Sequence, residues 1–168
     1  MKQLRRLVYA ALLCAISIVL TRVLSLQLSP AIRLHLGNVP ILLAGLWLGP
    51  LWGAAVGFAA DFLGATLVSS LGWFAPLSLA PTLLGAIVAL LSGRKRRFWR
   101  VIPAIIISLL ICEVGIKPYA LHLLTETPWE AVLAARLPFT ALQGAAELAL
   151  TIPLALTLTP LVRRKIEG

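Results

Sequence analysis

Residues 33–64 read RLHLGNVPILLAGLWLGPLWGAAVGFAADFLG, and no other stretch limits the fold as tightly. The run is apolar, yet it carries Gly37, Gly45, Gly49, Gly53, Gly57 and Gly64, prolines at Pro40 and Pro50, and ionisable residues at Arg33 and Asp61. A single straight helix does not accommodate this pattern. Pro50 cannot continue a helical hydrogen-bond ladder, and it drives its predecessor out of the helical region. The stretch is therefore expected to fold as two short segments that turn back at Gly49-Pro50. In the second segment Gly53, Gly57 and Asp61 recur at steps of four, so on a helix they share one face with a drift of about 40° per step. A glycine ridge lets two backbones approach closely in lipid. A carboxylate at its end must face protein or water rather than acyl chains.

Lipid is the solvent that the composition calls for. Of the 168 residues, 60% are hydrophobic and 12% charged, and mean hydropathy is +0.98. A soluble domain of this length needs far more polar surface. Several runs approach or exceed the roughly 20 apolar residues that cross a bilayer. The first run is long and lacks a small-residue cleavage site before a polar mature domain, so it reads as a span rather than a signal peptide. The expectation is one transmembrane domain over residues 1–168, with no soluble domain attached and no internal repeat.

A net charge of +9 would suit a nucleic-acid binder, but its placement argues otherwise. Eleven of the 15 basic residues fall in three clusters: Lys2, Arg5 and Arg6; Arg94, Lys95, Arg96, Arg97 and Arg100; and Arg163, Arg164 and Lys165. All flank apolar runs, which is the positive-inside pattern, and it places both termini and the 94–100 loop in the cytoplasm. Contact with anionic lipid headgroups is a second role for them. No stacking aromatics interleave with these charges, so a nucleic-acid partner is excluded. An even number of crossings must then lie on each side of the 94–100 loop. Spans over 7–28, 33–48, 51–68, 73–92, 101–124 and 129–162 satisfy this. The fold class expected is an all-α integral membrane protein, a six-helix transmembrane bundle with both termini cytoplasmic.

Along the chain, Ala11 and Ala15 form a small-xxx-small face on the first helix. It either packs within the bundle or presents a flat surface to another helical subunit. Arg22 lies in the outer third of that helix, where it snorkels to headgroups or faces a cavity. Arg33, His35 and Asn38 follow in an outer loop, either solvated or lining a mouth. His35 has no second ligand at metal spacing, so no metal site is expected. Trp73 and Phe74 sit where an interfacial aromatic belt is expected, and they equally could wall a planar ligand. Glu113 and Lys117 are four apart and can pair. Glu126 and Glu130 read as solvated loop residues. Arg136, Gln143 and Glu147 enter on the last, overlong segment, and ionisable residues within a span are functional candidates by default. Arg22, Arg33, Lys117 and Arg136 all fall on the outer side with the acids deeper. This predicts an electropositive outer mouth that attracts an anion and clamps carboxylates. Cys14 and Cys112 read as small packing residues.

The chain lacks HExxH, GxSxG and Walker A motifs. Any transport must run on a gradient or draw on a partner's ATP hydrolysis. Six spans are few for a self-sufficient carrier built from repeats. A small proton-coupled carrier using Asp61, Glu113 and Glu147 remains open, as does an intramembrane enzyme acting on lipid headgroups.

Taken together, these segments resemble a family. The Ala11/Ala15 face, LGNVPILLAGLWLGPLWGAAVGFAADFLG, the outer GWFAPLSL segment, the basic loop and the closing ETPWEAVLAARLPFTALQGAAEL are similar to the substrate-binding S components of energy-coupling-factor vitamin transporters. Within them the folate branch is most similar. Its pattern R-x-x-x-G-x-x-P-x-x-x-A-G-x-x-x-G-P-x-x-G-x-x-x-G-x-x-x-D is met by Arg33, Gly37, Pro40, Ala44, Gly45, Gly49, Pro50, Gly53, Gly57 and Asp61. Two departures fall where the ligand would sit. The usual Tyr-Phe-Pro-x-Phe-Thr-Leu-Ser is here Trp73-Phe74-Ala75-Pro76-Leu77-Ser78-Leu79, and Pro138-Phe139-Thr140 follow Arg136 where a lysine is common. They bear on which vitamin is bound, and pyridoxine, a thiamine precursor and a queuosine precursor are the alternatives to folate. The resemblance implies a non-enzymatic, multi-pass subunit of a prokaryotic plasma membrane that needs no cofactor. It would bind its vitamin from outside and dock through Ala11 and Ala15 on a transmembrane coupling protein. Two cytoplasmic ATPases would then topple it to release the vitamin inside. Arg22, Arg33, Asn38, Lys117 and Arg136 are the implied polar contacts of the substrate, Trp73 and Phe74 the stacking faces, and Gly53, Gly57 and Asp61 the structural floor.

Overall fold

The computed structural model describes residues 2–29, 32–68, 73–93 and 98–167. The 94–97 part of the basic loop lies outside the described residues, as do the side chains of Lys2, Arg33, Arg163, Arg164 and Lys165.

Helix α1 (Lys2–Ile18) runs without a break into a π-helical segment, Val19–Val23. A short antiparallel hairpin follows, β1 (Leu26–Ser29) with β2 (Ile32–Leu34). Then come α2 (Asn38–Leu48), α3 (Pro50–Val68), α4 (Ala75–Ser92) and α5 (Phe98–Leu109). A second π-helical segment, Leu110–Ile116, joins α5 to α6 (Lys117–Thr125), and α7 (Trp129–Glu167) closes the chain. Among the described residues, five stretches are long and apolar enough to cross a membrane: Gln3–Val23, Pro50–Leu67, Ala75–Ser92, Trp99–Leu124 and Trp129–Thr159; Asn38–Leu48 is a shorter apolar helix.

The hairpin is a small addition to a helical chain, and it corrects one expectation: residue 33 does not begin a span. Leu26, Leu28, Ile32 and Leu34 alternate with Gln27, Ser29 and Arg33, the period of two that suits a strand. Arg33 accordingly lies in β2, its backbone paired with Gln27. The helix begins only at Asn38.

That leaves α2 with 11 residues, roughly 16 Å of rise, about half the hydrocarbon thickness. Nearly every residue in it is buried, as expected of a helix that is apolar all round. It is the post around which the bundle is built, packed by α1, α3, α4 and α7. Leu42 and Leu46 of α2 meet Leu84 and Val88 of α4 and Ile105 of α5 in the fully buried core. Gly49 ends α2 at φ 104°, a conformation open mainly to glycine. Pro50 then starts α3, where its missing N–H costs nothing.

The glycine ridge faces α4. A Cβ on Gly53 would lie 2.5 Å from the Gly85 carbonyl oxygen, and one on Gly57 would run into the Pro81 carbonyl. A Cβ on Gly45 of α2 would meet the same Gly85 carbonyl. Three backbones thus converge at Gly45, Gly53 and Gly85. Gly53–Gly85 and Gly57–Pro81 are successive rungs of one antiparallel contact, and the next rung along is Asp61–Ser78, a hydrogen bond of 2.5 Å. Close backbone approach is what delivers that carboxylate to α4.

Helix α7 has 39 residues, roughly 58 Å of rise, and it stays helical through Pro138 and Pro153. It enters after Glu126, whose left-handed φ of 54° ends α6.

Candidate functional site

Polar side chains that leave the apolar bundle no easy solution gather in two networks. Both lie toward the end that carries the hairpin: Arg22 is four residues before β1, and Asn38 is four residues after β2. Ser17 of α1 ties this end together by donating to the Gly37 carbonyl at 2.8 Å.

Asn38 is the hub of the first network. It is 2% exposed, and its Nδ2 donates to Glu113 Oε1 at 2.7 Å and to Glu147 Oε1 at 2.9 Å. One amide therefore bridges carboxylates carried by two other helices. Glu113 is gripped from two sides, by Lys117 one turn on and by Arg136 Nη2 of α7 at 4.0 Å. Glu147 is 0% exposed, and its Oε1 also accepts from Gln143 Nε2 at 2.8 Å. Its Oε2, like Thr151 Oγ1 one turn along, is buried without a hydrogen-bond partner. Lys117 and Arg136 retain some exposure while Glu147 has none, so the network runs from a part-open rim of cations to a sealed acid.

In the second network Arg22 Nη2 meets Asp61 Oδ1 at 3.3 Å. Asp61 Oδ2 accepts from Ser78 Oγ, which accepts in turn from Trp73 Nε1 at 2.6 Å. The Trp73 ring stands edge-on to Phe58 and Phe62, at centroid distances of 6.3 Å and 5.3 Å. Phe58 and Phe62 stack on each other at 5.8 Å.

Each network sits on a π-helical segment, one carrying Arg22 and the other Glu113. A π turn widens the helix by one residue per turn and re-aims its side chains, and such turns are frequent at functional sites. Neither can be anticipated from a pattern of period 3.6.

The candidate residues sort accordingly. Asn38, Lys117 and Arg136 come together in the first network, and Arg22, Asp61 and Trp73 in the second. Phe74 caps the N-terminus of α4, half-buried. The Arg33 side chain lies outside the described residues. Ala11 and Ala15 are exposed on the outside of the bundle beside Leu7, Val8 and Leu12, while Ala10, Leu13, Cys14 and Ser17 face inward. Of the two readings of that alanine face, packing within the bundle is therefore set aside. The electropositive mouth needs revision: Arg22, Lys117 and Arg136 each lie against a carboxylate, so each cation that can be placed is paired. Ser78 and the Phe58/Phe62 pair carried no sequence signal beyond Phe58 and Phe62 flanking Asp61 on α3. Among the described residues, no group of three or more His, Cys, Asp or Glu could hold a metal, and Cys14 and Cys112 are buried and unbridged.

The bundle so defined is a membrane protein whose two charged side-chain networks lie toward one end. The sequence profile described as ECF transporter, substrate-specific component matches residues 5–155. The chain belongs to this family. It is 28% identical over 136 residues to the folate transporter FolT of Clostridium novyi, covering 81% of this chain and 74% of the relative. It is 29% identical over 134 residues to FolT of Leuconostoc mesenteroides, covering 77% and 71%. Among solved structures it is similar to FolT bound with folic acid (TM-score 0.68, 22% identity, 83% of this chain and 87% of that one). It is also similar to the S component of a bacterial ECF transporter (TM-score 0.73, 25% identity, 96% and 99%).

Proposed function

We propose that this chain is the folate-binding S component of an energy-coupling-factor transporter. The observation that carries the reading is the likeness to two folate transporters across about four-fifths of the chain. The two networks supply what such a ligand needs. Folate joins a flat pteridine ring to glutamyl carboxylates. Trp73, with Phe74 beside it, offers the stacking face. Arg22, Lys117, Arg136 and Arg33 offer charge, with Asn38 ordering the acids behind them. The three placed cations each lie against a protein carboxylate, so a carboxylate ligand would share those cations with Asp61 and Glu113 rather than enter an empty positive field.

In this reading the chain crosses the membrane six times, with α2 and α3 as two of the crossings joined by the turn at Gly49-Pro50, and both termini lie in the cytoplasm beside the basic clusters. The exposed Ala11/Ala15 face of α1 docks on a transmembrane coupling protein served by two ATPases. Purified protein should bind radiolabelled folate and leave pyridoxine and thiamine precursors unbound. Retention of one of those ligands with no folate binding would overturn the choice of vitamin. Uptake into vesicles that hold this chain alone, with no ATPase, would instead favour a gradient-driven carrier.

A further inference from the structure

The second network has a property that follows from the chemistry of its donors. An indole N–H can only donate. Ser78 must therefore accept from Trp73 through its oxygen, which leaves the Ser78 hydroxyl proton to donate onward. The atom in its path is Asp61 Oδ2, at 2.5 Å. The other Asp61 oxygen faces the Arg22 guanidinium, which holds the carboxylate as an acceptor. Every proton in the chain Trp73–Ser78–Asp61 thus has one possible direction. Ser78 is 2% exposed, so water does not compete at the middle link. At its far side the indole meets Phe58 and Phe62 edge-on, with interplanar angles of 87° and 82°. The ring is pinned at its nitrogen and along its body, yet it remains 40% exposed. An aromatic ring that is fixed in orientation and still presents surface is a prepared stacking platform.

From this we infer that Asp61, acting through Ser78, is the positioning residue that sets the plane of Trp73 for a flat heteroaromatic ring of the ligand. The inference rests on the folate reading for the identity of that ring, and not for the relay itself. The register explains why the carboxylate stands there. Asp61–Ser78 is the rung beyond Gly57–Pro81, so the glycine ridge fixes the depth at which the relay can close. Arg22 extends the chain to the outer end of α1, so the first helix and the segment entering α4 are held by one set of hydrogen bonds.

The test uses the full-length protein in detergent with [15N]tryptophan. Trp47, Trp52, Trp73, Trp99 and Trp129 give indole N–H resonances, and the one lost in Trp73→Phe is assigned to Trp73. Ser78→Ala and Asp61→Ala should each move that resonance upfield and leave the other four in place. Ser78→Ala should weaken folate binding by about five- to tenfold, the loss of one well-made hydrogen bond, and Asp61→Ala, which also removes the Arg22 contact, by at least as much. In a Trp73→Phe background Ser78→Ala should add no further loss, because the two act as one unit. An unmoved Trp73 resonance in both alanine variants overturns the relay. A shifted resonance with unchanged folate affinity overturns the positioning role. So does a Ser78→Ala effect that persists in full without the Trp73 indole. If the unmodified protein binds no folate, the folate reading fails, and the relay is then decided by the resonance alone. Unchanged resonances of the other four tryptophans separate a local effect from misfolding.

Discussion

Gly57→Ala puts the packing argument to the test with a single methyl group. On the native backbone the added Cβ would lie 2.6 Å from the Pro81 carbonyl carbon and 3.0 Å from Thr82 N, where ordinary contact is 3.4–4 Å. The obstacle is main chain, so no rotamer change relieves it. Helices α3 and α4 must part by roughly 1 Å, enough to forfeit a quarter to a half of the dispersion at the atoms that face each other. Overpacking of this kind costs about 1–3 kcal/mol, and a backbone obstacle belongs at the upper end. Alanine recovers about 1 kcal/mol of helix propensity over glycine, so the net loss expected is about 2 kcal/mol. Gly144→Ala is the matched control, since its Cβ meets nothing within 4 Å and it keeps the propensity gain of about 1 kcal/mol. Reversible unfolding of the purified protein in mixed micelles should separate the two variants by about 3 kcal/mol. Because the Asp61–Ser78 rung lies one turn beyond, Gly57→Ala should also shift the Trp73 indole resonance while Gly144→Ala leaves it alone. Equal stability of the two variants would refute the reading of the ridge as a backbone-to-backbone seam.

Asn38→Ala removes both bonds that bridge Glu113 and Glu147. At about 0.6–1.7 kcal/mol per interhelical hydrogen bond in a bilayer protein, unfolding in mixed micelles should show a loss of about 1–3 kcal/mol. Arg136→Ala leaves Glu113 with Lys117 as its remaining placed cation and removes a rim charge, so folate affinity should fall at least tenfold by equilibrium binding. An unchanged affinity would take Arg136 out of the site. Bulky replacements on the outer face of α1, Ala11→Trp and Ala15→Trp, should leave folate binding to the solitary subunit intact and abolish co-purification with the coupling protein. Co-purification that survives both changes would locate the docking surface elsewhere.

Much of the molecule could be read before any coordinates. The Gly49-Pro50 break, the face shared by Gly53, Gly57 and Asp61, and the Glu113–Lys117 pairing all depend on residues within a few turns of one another, where helical geometry alone decides who meets whom. Helix α2 starts at Asn38 and not at Arg33 because residues 32–34 pair with 26–29 as strands, and that pairing is not fixed by helical periodicity. The excess of outer-side cations was visible, but their neutralisation was not. Arg22 finds Asp61 across 39 positions and Arg136 finds Glu113 across 23, separations over which periodicity carries no information.

By itself, then, the amino-acid sequence determined the solvent of this chain, the break that makes α2 short and the ridge that packs α3, because composition and short-range periodicity govern those. Tertiary structure alone decided that the ridge faces α4, that Asn38 joins two acids from two other helices, and that Asp61 reaches Trp73 through a serine. Those contacts depend on helix register and on two π-helical segments that rotate Arg22 and Glu113 off the helical period, and an interhelical register is set by the packing of whole surfaces rather than by any local pattern.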